Sequence, residues 1–405
     1  MAFCIILVAA SAKALDFGMV LTQGTLASNE AAGAGVVFSY LPVASPWVAG
    51  PLGGSFSLYL SGSLGFDLAA DLDGAAAWRD PPALPELGRA ELTWTASPSL
   101  YVSLGRQSFQ DPAGLVAAGL FDGLSAGFSA AGSRFTAGVW YTGLLYKERA
   151  DIMMTLRDRA AYQTPFALDG DGGYFASRRA MVSLDWEKPD LGPRSSLALG
   201  VLAQLDVNGD EDRLHTQYLS VRLGSRLAPG LELRADGIFG AGEDPAWAVF
   251  FAGGLGLAWT PAGALDQRLS FRGLYSSPSL GDRLRPFTPV SSVSQGQVFS
   301  PALGGLSTFR GVYSLRPLAS LSLTGEFSYF IRVDTATFQD SREPDKQKDA
   351  GYFLGGEGYA ALAWTPLPDL ALTLGGGAFF PRLGNVFTEA AGIRWKAALT
   401  LMLSF

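Results

Sequence analysis

Period-two alternation constrains this chain more than any other feature. In LSLTGEFSYFIRVD, Leu321, Leu323, Gly325, Phe327, Tyr329, Ile331 and Val333 share one face; Ser322, Thr324, Glu326, Ser328, Arg332 and Asp334 share the other. LELRADGIF repeats the pattern, with Leu231, Leu233, Ala235 and Phe239 against Glu232, Arg234 and Asp236. RLSFRGLYS does so again, with Leu269, Phe271 and Tyr275 against Arg268, Ser270 and Arg272. Successive side chains on a strand point to opposite sheet faces, so each segment has one oily side and one polar side. Such ribbons need two solvents, either core and water or lipid and water.

We count about eighteen such segments, with sixteen as the alternative. They start near 16, 32, 54, 88, 99, 119, 133, 177, 195, 215, 230, 247, 267, 306, 320, 351, 369 and 388. No helical repeat intervenes. Beyond the N-terminus no apolar run reaches the roughly 18 residues of a membrane-spanning helix. The 50 glycines and a charged fraction of 17% fit Gly-rich strands joined by tight turns. A net charge of −7 and the absence of a Lys/Arg stripe argue against a nucleic-acid partner.

The connections decide between the two solvents. TASPS, AAGS, KPDLGP, APG, TPAGALD, RPLAS and TPLPD are short, and each follows an even-numbered strand. DLDGAAAWRDPPALPE, the stretches 146–173 and 277–305, DVNGDED, AGEDP and DTATFQDSREPDKQKDA are long or acidic, and nearly all follow odd ones. Short turns on one rim and long loops on the other are expected of an up-and-down transmembrane β-barrel. The fold class is therefore all-β, a single transmembrane antiparallel barrel over residues 15–405, with short periplasmic turns and longer outer loops.

Aromatic residues are placed accordingly. Trp94, Trp186, Trp259 and Trp364 lie near short turns and would form one girdle, joined by Trp47 from the connection LPVASPWVAGP. Phe17, Tyr141, Phe239, Trp247, Tyr275 and Phe380 would form the second. The final strand, WKAALTLMLSF, ends on Phe405, which would close the barrel at the periplasmic rim. Many bacterial outer-membrane proteins end this way, and Phe405 resembles the signal read by the barrel-assembly machinery during biogenesis.

The apolar start MAFCIILVAASAKA, with small residues Ala12 and Ala14, reads as a signal peptide cleaved after Ala14, although a basic n-region is missing. Cleavage would remove Cys4, the only cysteine, leaving no disulfide framework. The location expected is the bacterial outer membrane, with lipid as the surrounding partner.

One stretch resembles a known family. LYVSLGRQSFQDPAGLVAAGLFDGLSAGF joins a strand ending in Gly105-Arg106-Gln107 to one opening with Phe121-Asp122-Gly123. This arrangement resembles alginate-export-type barrels and, more loosely, OprD-like porins. The resemblance implies an eighteen-stranded channel passing small polar or anionic solutes by diffusion.

The inward face carries many arginines: Arg134, Arg179, Arg222, Arg234, Arg268, Arg272, Arg310, Arg332 and Arg394, with Lys396. Acidic companions are Glu91, Asp185, Glu232, Asp236 and Glu326. Guanidinium groups in a wet lumen present a fixed fork to carboxylate or phosphate. Equally, such charges could pair across strands and merely stiffen the wall. The segments YKERADIMMTLRDRAAYQTPF and SPSLGDRLRPFTPVSSVSQG, the latter with Arg283 and Arg285, could fold inward or stay on the surface.

Catalytic chemistry is weakly represented. His215 is the only histidine and sits beside an acidic turn. No phosphate loop or Cys/His metal set is present, so no cofactor, catalytic residue or structural metal is expected. The acidic turns 206–212 and 169–173 have calcium-like oxygen spacing without the full twelve-residue pattern. The function expected is a porin; the alternative is a structural or adhesive barrel with a plugged lumen.

Overall fold

The computed structural model describes residues 15–29, 35–72, 83–164, 166, 173–209, 213–244, 246–263, 265–335, 338 and 346–405. The signal-peptide expectation for residues 1–14 lies outside them, as do residues 169–172 and 210–212 of the acidic turns.

One antiparallel sheet closes on itself. Its strands are β1 (Asp16–Asn29), β2 (Val37–Gly53), β3 (Phe56–Phe66), β4 (Leu68–Asp71), β5 (Ala83–Ser97), β6 (Leu100–Gln110) and β7 (Ala118–Ala130). They continue as β8 (Ser133–Tyr141), β9 (Arg179–Gly192), β10 (Ser195–Asp206), β11 (His215–Ala228), β12 (Leu231–Asp244) and β13 (Ala246–Trp259). The last six are β14 (Arg268–Ser276), β15 (Leu306–Leu318), β16 (Leu321–Arg332), β17 (Phe353–Leu367), β18 (Leu370–Phe380) and β19 (Arg394–Ser404). β3 and β4 follow one another along β2 and form one wall strand, so the barrel has eighteen. β19 pairs with β1, from Val20 opposite Ser404 to Asn29 opposite Trp395, and no sheet edge remains. A closed ladder pairs the wall's backbone groups with one another rather than with water, as hydrocarbon demands.

The alternation follows this wall. Leu104, Leu255, Phe271, Phe309, Phe327 and Leu374 all project outward and are more than half exposed, as suits contact with acyl chains. Their neighbours Ser103, Asp236, Thr308 and Ser328 point inward. Connections on one rim are tight, such as Ala130 to Ser133 and Leu318 to Leu321. The other rim carries the long loops.

Four expectations need correction. LPVASPWVAGP is not a connection but the middle of a long β2, whose three prolines sit at Pro42, Pro46 and Pro51. Trp47 lies opposite Gly18 and Ser61 on the inward register, so it does not join the other tryptophans. Phe17 pairs beside Val48 at the start of β1, near the C-terminus and the tight turns, not at the opposite rim. AGEDP, counted among the long or acidic connections, lies largely within β12, which pairs with β13 up to Asp244 opposite Ala246. Starts of β2, β5 and β19 shift by five or six residues, because Gly and Pro near strand ends blur the alternation.

Candidate functional site

Among the described residues, three outer loops meet one another inside the lumen. The first is the β6–β7 hairpin, which runs past its neighbours to a tip at 111–117. Asp111 closes that tip: its carboxylate accepts backbone N–H groups of Ala113, Gly114, Val116 and Ala117 at 2.8 to 3.0 Å. Burial pushes the Asp111 carboxyl up, against those four donors, which pull it down. The turn signal was present as Asp111-Pro112 with Gly114.

The second loop, after β8, carries α1 (Lys147–Ala150) and α2 (Leu156–Gln163), so the partial helical spacing of YKERADIMMTLRDRAAYQTPF does form helices. Thr155 caps α2 in a reciprocal box with Asp158. Leu145, Ile152 and Met154 then pack inward against Trp140, Met181 and Leu202 of the wall. Arg179 holds this loop: its guanidinium meets Asp158 at 2.5 Å and Asp206 at 2.6 Å, with all three side chains fully buried.

The third loop, 277–305, crosses the lumen between two apolar clusters. Phe287, Val290 and Leu303 join the cluster on the β6–β14 side, whereas Val298 and Phe299 join Phe330, Phe379 and Phe387 on the other. Glu357 on β17 accepts N–H bonds from Gln297, Val298 and Phe299 at 2.6, 2.9 and 2.6 Å. Arg394 lies over the rings of Phe299, Phe379 and Phe387, about 5.5 Å from each centroid. The loops also touch one another: Val290 and Ser291 donate to Val116 O, and Ser292 donates to Asp151 O.

Facing the 111–117 tip is a basic wall. Arg222, Arg234 and Arg272 converge on Asp236 at 3.6, 2.8 and 2.9 Å. Asp236 is 1% exposed and the arginines 33 to 42%, so the carboxylate is the root and the guanidiniums are the surface. Glycine makes this possible. Arg272 reaches Asp236 across β13, whose inward positions there are Gly254 and Gly256. Arg310, directly opposite Arg272, turns the other way to Glu326 at 2.5 Å. Four guanidiniums against two carboxylates leave two positive charges in excess. Arg234 also donates to Ala113 O at 2.9 Å, tying tip to wall. Below the tip lies a polar cavity of about 420 Å³, lined among others by Arg89, Glu91, Asp111, Arg134, Asp185 and Arg222.

The remaining expected residues are dispersed. Arg134 pairs with Glu187 at 3.3 Å, both exposed. Arg268 and Glu232 are exposed on the inward register near the tight turns. Three candidates do not line the passage. Arg179 is fully buried as described, and Arg332 is 2% exposed, donating to Gly351 O and Lys348 O. Arg394 is likewise fully buried. Their alternating positions are inward, but loops packed above them convert lumen into core. Trp94, Trp186, Trp259 and Trp364 sit on the outward register toward the tight-turn rim, and Phe405 is two-thirds exposed at that rim.

The motif triplets meet in register: Gly105 opposite Gly123, Arg106 opposite Asp122, and Gln107 opposite Phe121. They do not end and open strands, as expected, but lie within β6 and β7. Residues missed in the sequence are the anchors Asp111, Asp158, Asp206 and Glu357. Asp111 carried a turn signal, and Glu357 was marked by its isolation between glycines at an inward position. His215 accepts the Asp206 N–H at Nδ1, 3.1 Å, a turn-capping contact. The Asp206 carboxylate is taken by Arg157 and Arg179, and no metal-ligand cluster occurs among the described residues.

No family model matches the chain, and no curated protein matches its sequence. Solved structures do. OccK5 (OpdH) of Pseudomonas aeruginosa shares 12% identity at a TM-score of 0.62, over 96% of this chain and 98% of that one. The fold is the OprD-type porin fold. Pseudomonas aeruginosa OprD aligns at 13% identity and TM-score 0.58, over 96% and 95% of the two chains. OccAB1 of Acinetobacter baumannii aligns at 13% and 0.59, over 96% of each chain. The alginate-export-type subtype and its motif find no support in these likenesses, whereas the OprD-like architecture does.

Proposed function

We propose that this protein is an outer-membrane porin, a passive diffusion channel for small polar or anionic solutes, exported by cleavage after Ala14 and set in lipid by the barrel-assembly machinery. The observation that carries the reading is the Arg222, Arg234 and Arg272 cluster on one buried carboxylate, opposite an inward-folded hairpin tip. A guanidinium keeps its charge at any physiological pH and offers paired donors to a carboxylate. Held in a narrow wet passage, such charges raise the local concentration of anions. The OprD-type fold supports the channel class and gives no reason to expect an enzyme.

Reversal potentials in planar bilayers under a salt gradient test the proposal. Anion preference is expected; clear cation preference would sink the role given to the basic wall. The convergence of three loops supports one competing reading, a plugged structural or adhesive barrel. Purified protein giving no conductance steps would favour it.

A further inference from the structure

We infer that Arg106 and Asp122 form a hinge clamp that turns the β6–β7 hairpin out of the barrel wall and holds its tip across the lumen. Both are positioning residues for the constriction. The consequence for solute flow rests on the channel reading; the hinge itself does not.

The register locates the hinge. β6 pairs with β5 only as far as Arg106 opposite Ala90. β7 pairs with β8 only as far as Asp122 opposite Tyr141. Beyond those two positions the hairpin pairs only with itself, from Gln107 opposite Phe121 to Gln110 opposite Ala118. The ion pair thus occupies the last rung attached to the wall on both sides.

The guanidinium is used nearly to capacity there. Its Nε and Nη2 donate to the two Asp122 oxygens at 2.8 and 2.9 Å. Nη1 donates to Leu87 O at 2.8 Å, and Nη2 also donates to Leu144 O at 2.9 Å. One fork therefore ties together β5, both hairpin strands and the chain leaving β8. A lysine, with a single point charge, cannot span that set.

Two features argue against a role in contacting solute. Arg106 and Asp122 share the outward register of Leu104 and Leu124, and the Arg106 side chain is only 6% exposed. Its inward neighbour, Gln107, braces the lumenal side one rung further on, accepting from Ser125 Oγ at 2.6 Å and donating to Ser103 O at 3.2 Å. Gly105 supplies the bend: at φ +114° its missing Cβ would stand 2.1 Å from Ala90 O. Past the hinge, the tip meets Arg234 through Ala113 O and the 277–305 loop through Val116 O.

The test uses the full barrel in detergent, with Arg106→Lys and the milder Asp122→Asn, read by hydrogen exchange. Amides of 113–118 should exchange at least about tenfold faster, while those of 100–104 and 124–128 keep their rates. Higher single-channel conductance should accompany the change. Unaltered tip protection in a folded Arg106→Lys barrel would overturn the hinge. So would uniform loss of protection along β6 and β7, which would make the pair plain wall reinforcement. If the unsubstituted protein is silent in bilayers yet exchange splits as stated, the hinge stands and the channel reading fails.

Discussion

The two sides of the lumen obey the same alternation and end up chemically unlike. Along β1 and β2 the inward positions Val20, Thr22, Gly24, Leu26, Ser28, Ser39, Leu41, Val43, Ser45 and Trp47 are uncharged, and the one acid on that register, Asp16, lies at the start of β1 by the tight turns. Along β11 to β16 they include Arg222, Arg234, Arg268, Arg272, Arg310 and Glu326. Outside, both halves present oily side chains to one solvent. The difference teaches that lipid dictates only every second residue and leaves the others to be chosen for the passage. Because β1 and β2 offer no countercharge beyond Asp16 at the tight-turn rim, the basic side keeps its field.

The largest break in that comparison is to erase the basic side. Replacing Arg222, Arg234 and Arg272 by Ala together with Asp236→Asn removes three positive charges and one negative. The carboxylate must go too, since a buried charge stripped of its partners costs about 3–5 kcal/mol. Reversal potentials should move toward cations by most of the original preference. Placing an arginine at Thr22 on the neutral side of that variant should restore part of it.

Next in size is release of the 277–305 loop from the β17 side. Glu357→Gln leaves one acceptor oxygen for three backbone donors, a loss of about 1–3 kcal/mol. Hydrogen exchange at Gln297, Val298 and Phe299 should accelerate, with the β11–β14 amides unaffected. A smaller effect is expected from Gly200→Ala, where a Cβ would stand 2.6 Å from Pro112 Cδ and 2.5 Å from Asp185 Oδ1. The hairpin tip must shift, at about 1–3 kcal/mol of overpacking, and conductance should rise modestly.

The smallest effect is one of pH. Burial pushes the Asp151 carboxyl from 3.8 up to about 6. The folded loop therefore prefers the protonated acid, so its stability is greatest below 3.8 and falls as pH rises to about 6. Current noise from the 142–164 segment should grow from pH 4 to pH 7, and Asp151→Asn should flatten that dependence.

Legibility in the sequence followed the same division. LSLTGEFSYFIRVD announced β16, and the parity of turns announced closure, because each wall residue answers to its own surroundings. Where β2 ran straight through three prolines, the alternation was overruled by partners on β1 and β3. Arg179 and Arg222 looked alike as inward arginines. One is sealed under α2 and the other stands in the basic wall, and nothing local separates them.

The sequence by itself determined the wall: its strand number, its two faces and which rim carries the loops. A residue facing lipid or water one position at a time leaves its mark one position at a time. Only the tertiary structure decided which inward charges face open space and which serve as anchors. That outcome depends on loops from distant parts of the chain settling over particular stretches of wall. It also decided what GRQ and FDG do, since their meaning lies in where two neighbouring ladders stop.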